Sequence, residues 1–197
     1  MLFRCEGRDS REYLEERVGI PISRVYPTKN LEDLFLEFPN GFTIYQSYRL
    51  EGKFIDIELD GVEKGKPIEG TIKQIDIKSG AEEKKIAVTY DAGKYSYDNE
   101  EEARKLWPKE KFLFQEMTLN KEILSKFKLK DTYYNRNSGG FDLEYTVKNE
   151  QINEFLELEN QPQVTLGFHG SNANRGYYYT LSVELDKNFK FRERIEE

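Results

Sequence analysis

The chain has 197 residues, enough for one compact domain, or two very small ones, to bury a core with no disulfide or metal staple. Its 37 acidic against 30 basic side chains leave a net charge of -7, a field that opposes approach to phosphate backbones and disfavours generic nucleic-acid binding. A single Cys5 excludes an internal disulfide, the charged start MLFRCEGRDSRE lacks the apolar centre of a signal peptide, and no run approaches the roughly 18 apolar residues of a membrane span, so a reducing, cytoplasmic setting is expected.

Taken in order, the first 40 residues read as short helices. Asp9 with Glu12 three positions on suits a helix start, Tyr13, Leu14 and Val18 supply a narrow apolar stripe, and Gly19-Ile20-Pro21 predicts its stop. Asn30 to Phe38 predicts a second helix, with Leu31, Leu34, Phe35 and Phe38 at helical spacing. From Gly41 the apolar period becomes two. Phe42, Ile44, Tyr48 and Leu50 share one face, Ile55, Ile57 and Leu59 the next, and Glu51-Gly52 between them predicts a β-hairpin.

In IEGTIKQIDIK the apolar positions change parity around Gln74, which predicts a bulge or bend there. Ile86, Val88 and Tyr90 resume the alternation, Asp91-Ala92-Gly93 turns, KYSY forms a short strand, and Asp98 with Glu101 suits the start of a helix through Trp107. Beyond Pro108, NKEILSKFKL and NEQINEFLELE read as amphipathic helices around a strand carrying Phe141, Leu143, Tyr145 and Val147. QVTLGFHG and YYYTLSVELD then form a hairpin across SNANRG. Thirteen Tyr and thirteen Phe fit a core built on sheet, and the expected class is α+β: β-rich, antiparallel, with several short helices. Segments 1–40, 41–107 and 108–197 are the expected organisation, which one domain can contain.

Residues 66–107 resemble the small five-stranded barrels of the Tudor, Agenet and related SH3-like group, in GKPIEGTIKQID, KIAVTYDAG and KYSYDNEEEARKLW. That resemblance implies an SH3/Tudor-like barrel and binding rather than catalysis: Tyr90, Tyr95 and Tyr97 would line a mouth that holds a methylated Lys or Arg by cation–π attraction. Ala92 departs from the group, which often has a second acid there, and a first-strand tryptophan is missing. The bland alternative is cross-strand packing of the three rings. QIDIKSG also resembles the PD-(D/E)xK nuclease core, which would use Asp76, Lys78 and an upstream carboxylate, Asp56 or Asp60, around a divalent ion. Only SGAEE separates that strand from the next, however, where the family usually places a packed helix, and the nearest basic cluster is Lys126, Lys128 and Lys130.

His169 is the only histidine and stands two residues from Ser171, a spacing that seldom lets a serine and its base meet. One Cys and one His do not make a zinc site, and no glycine-rich phosphate loop is present, so no cofactor is indicated. In SNANRGYYY, Arg175 and an outward Tyr178 have the composition of a protein interface. The expected function is a non-enzymatic interaction protein, an adaptor or an inhibitor of immunity type, that binds a protein through exposed aromatics and acidic rims. A metal-dependent nuclease using Asp60, Asp76 and Lys78 is the alternative. Single-strand recognition by stacked tyrosines with KFKLK on the backbone is a third.

Overall fold

The computed structural model describes residues 7–171, 180–186 and 189–197. Helix α1 (Arg11–Ile22) is capped by Ser10, whose hydroxyl accepts from Tyr13 N, one residue beyond the expected Asp9. It also runs through the expected stop. Pro21 falls in the last turn, where its missing N–H forfeits one bond, and Gly19 is a contact rather than a terminator: a Cβ there would meet Lys121 Cα at 2.6 Å. The expected second helix is a single 3₁₀ segment, Leu31–Leu36, which still buries Leu31, Leu34 and Phe35.

Strands β1 (Phe42–Leu50) and β2 (Lys53–Gly61) form the expected hairpin, with positive φ at both Glu51 and Gly52 as a two-residue turn requires. Then follow β3 (Ile68–Asp76), β4 (Glu82–Asp91) and β5 (Lys94–Tyr97), and the β3–β4 register shifts between Gln74 and Ile75, where the parity change placed a bulge. Helices α2 (Glu100–Leu106), α3 (Leu113–Glu116) and α4 (Lys121–Lys126) lead to β6 (Lys128–Tyr134) and β7 (Phe141–Val147). After α5 (Glu150–Phe155) come β8 (Val164–Gly170), β9 (Thr180–Glu184) and β10 (Lys190–Glu196).

The ten strands of the described residues lie in one antiparallel sheet, ordered β5-β4-β3-β2-β1-β10-β9-β8-β7-β6. Two five-stranded meanders thus meet along a central β1–β10 seam, in which Ile44 faces Ile195 and Tyr48 faces Phe191. The stretch 66–107, which resembles a small barrel, supplies β3, β4, β5 and α2 of the first meander, and β5 pairs along β4. Inward-facing residues run in rows across the sheet: Ile86, Ile72 and Ile57 on one side, Phe191, Val183, Leu166 and Tyr145 on the other. They join Leu14, Val18, Trp107, Phe112 and Phe114 from the helical layer in one apolar cluster. Among the described residues, the opposite face of the sheet carries polar and charged side chains. No helix of the described residues is long and apolar enough to cross a membrane.

The centre of the inward face is polar. Glu193 on β10 is 0% exposed and accepts four hydrogen bonds, from Tyr26 Oη at 2.7 Å, Gln46 Nε2 at 3.1 Å, Leu113 N at 2.7 Å and Phe114 N at 2.9 Å. Burial pushes its carboxyl up to about 7, against the pull of those four donors. Gln46 Oε1 in turn accepts from Trp107 Nε1 at 3.2 Å, so one network ties the seam to α3 and to the segment after α2. A buried carboxylate with four donors is satisfied, and removing it would orphan all four.

Candidate functional site

The three tyrosines expected at a barrel mouth do come together. Tyr90 pairs with Tyr95 across β4–β5 with ring centroids 4.8 Å apart, and Tyr97 stacks on Tyr95 at 6.3 Å. Their rings point inward. Tyr90 is 4% exposed, Tyr95 meets Trp107 edge-on at 5.1 Å, and Tyr97 Oη donates to Glu110 at 2.7 Å. Arg175 and Tyr178 lie outside the described residues.

The carboxylates of the nuclease pattern are held apart. Asp60 stands opposite Glu69 at one end of the β2–β3 ladder, and Asp76 stands opposite Lys53 at the other, about 20 Å or more along the strand. Alternation also puts Asp56 and Asp60 on the outward face and Asp76 on the inward side with Ile72. Asp76 is occupied locally: it accepts from Lys53 Nζ at 2.8 Å and from Lys78 N, Ser79 N and Ser79 Oγ, so Asp76-Ile77-Lys78 serves as turn chemistry. Lys53 and the Ser79 donors hold its carboxyl well below the usual range. No group of three or more His, Cys, Asp or Glu that could hold a metal ion occurs among the described residues.

His169 has partners that spacing along the chain concealed. Nδ1 lies 2.6 Å from Asp142 Oδ1 on the neighbouring strand, and Nε2 lies 3.0 Å from Ser182 Oγ on the other side. Gly167 makes this possible, because a Cβ there would sit 2.7 Å from Ser182 Oγ and 3.2 Å from the imidazole Nε2. The distances match a serine hydrolase triad, but the environment does not. Ser182 is 3% exposed in mid-strand, whereas a nucleophile needs an accessible Oγ. The arrangement is a three-strand clip across β7, β8 and β9.

The outward face of the seam is the open, chemically diverse surface. Tyr45, Ser47, Asp56, Glu58, Lys73, Arg192 and Arg194 share it by register, and together with Ile75 they line a shallow groove of about 430 Å³. Arg194 stacks over the Tyr45 ring at 4.2 Å and Arg49 over Phe54 at 5.1 Å, while Arg192 beside them is exposed. Asp56 loses enough hydration in the groove for its carboxyl to be raised, although Lys73 opposite opposes this. Tyrosine and arginine at the centre with carboxylates around them can make flat stacking contacts and bidentate bonds to a partner's acids and amides.

The fold and site thus define an α+β protein with one helix-covered sheet and a polar groove on its other face. No protein-family model matches the chain, and no curated protein matches it.

Proposed function

We propose that the chain is a non-enzymatic interaction module, an adaptor or an inhibitor of immunity type, that docks a protein partner on the outward face of the β1–β10 seam. The observation that supports this reading is the Tyr45–Arg194 stack, with Arg192 alongside, set in a groove edged by Asp56, Glu58 and Glu82. Tyr and Arg carry a disproportionate share of interface energy when ringed by groups that exclude water, and an acidic rim steers a basic partner toward them. The inward use of Tyr90, Tyr95 and Tyr97 moves the aromatic contribution from the barrel-like stretch to Tyr45 and Phe54.

The test is capture by cross-linking in the source cells, comparing the wild-type chain with a Tyr45→Ala/Arg194→Ala double variant. A specific protein retained by the wild type and reduced about tenfold or more in the variant is expected. Equal recovery by both would remove this face as the site, and no specific recovery by the wild type would remove the module reading.

A further inference from the structure

On the inward side of the same seam a cleft of about 330 Å³ opens between β1, the segment after α2, α5 and the start of β10. Its walls are Tyr48, Leu50, Trp107, Phe155, Leu156 and Phe191. The polar atoms of these walls are turned into the protein: Trp107 Nε1 donates to Gln46, and Tyr48 Oη donates to the Leu106 carbonyl. What these six side chains present to the cleft is therefore carbon, beside Gln46 and Arg49, in a volume typical of small-molecule sites. Leu50, 40% exposed, stands at its mouth.

The rim carries lysines. Lys105, Lys109 and Lys111 line it, with Lys105 paired to Glu101 and Glu102, Lys111 to Glu116 and Lys109 to Glu157, and of these carboxylates only Glu157 itself lines the cleft. Lys109 Nζ sits 5.9 Å from the centroid of the Phe155 ring, so a cation is fixed directly above an apolar wall. Its bond to Glu157, 3.0 Å long with the Glu157 side chain 72% exposed, is of the weak surface kind, and a second carboxylate can take its place.

We propose that this cleft binds an amphipathic carboxylate: an apolar body of about ten carbons against Trp107, Phe155 and Phe191, with its carboxylate at Lys109. The site is separate from the outward groove, and its test does not depend on any protein partner.

Trp107 is the only tryptophan, so emission excited at the red edge, where tyrosine does not absorb, reports on this wall. Decanoate, decanol and decyltrimethylammonium should be titrated below their micellar concentrations. The expected result is a saturable emission change with decanoate, about tenfold weaker binding of the alcohol, and weaker binding still of the cation. The preference for the anion is the discriminating readout, because the overall charge of -7 attracts the cation. Leu50→Asp should abolish decanoate binding and Lys109→Glu weaken it about tenfold, with melting temperatures that show both variants folded. Lys94→Glu, at the start of β5, should leave binding unchanged. The proposal is overturned if decanoate gives no saturable change, if the alcohol or the cation binds as well, or if Lys94→Glu weakens binding as much as Lys109→Glu.

Discussion

Glu193 is the residue on which the interior is organised, and its titration has a definite sign. Its folded carboxyl is raised to about 7, above the ordinary value of 4.5, so the folded state holds a proton that the unfolded chain releases. The contribution is fully present below the unfolded value and is lost as pH rises toward 7. Urea denaturation at pH 5 and pH 8 should show lower stability at the higher pH, with a slope that Glu193→Gln reduces. That variant should also be less stable at both, by about 2–4 kcal/mol, since its amide nitrogen must face two of the present donors. Gly167 is a second sensitive position. Gly167→Ala forces a methyl group against Ser182 Oγ and the His169 ring and should cost about 1–3 kcal/mol in the same assay. Neither site was legible in the chain. Ser182 and Asp142 lie 13 and 27 positions from His169, and only strand register makes them neighbours.

Elements were easier to read where local chemistry and packing agree. The Glu51-Gly52 and Ala92-Gly93 turns, the inward rows of β1 to β4 and the irregularity at Gln74 follow from period and turn residues alone. Caps were found to within one residue: Asn99 caps α2, while the neighbouring Asp98 accepts from Ala87 N on β4. Two strands were missed for physical reasons. In β10 the inward row is Phe191, Glu193, Ile195, and a glutamate in the middle hides the alternation. In β6 an edge position and a register shift between Leu129 and Asp131 leave little apolar signal, and in SKFKLKD the first two residues end α4, Phe127 caps it and the last four begin the strand. The cleft was hidden by the same logic, because its walls come from four separate stretches. At this scale Asn120→Ala should remove the bond from Ile123 N, loosen α4 where it crosses Gly19, and lower stability by about 1 kcal/mol in thermal or urea melts.

For the whole molecule, the seam decides whether the chain behaves as one body. Segments 1–40, 41–107 and 108–197 all contribute to the apolar cluster, and Glu193 is bonded to residues from each. Unfolding followed by Trp107 emission and by far-ultraviolet circular dichroism should therefore give coincident transitions, whereas separable units would give two. The seam also sets the order in which the molecule can be completed. Strand β1 finds its second neighbour only when β10 arrives, after nearly all of the intervening chain has been made. Until then its free edge offers a row of unbonded amides and carbonyls beside Ile44, and another nascent copy could pair with it. A chaperone that shields one strand during synthesis would serve this protein more than one that encloses a finished fold.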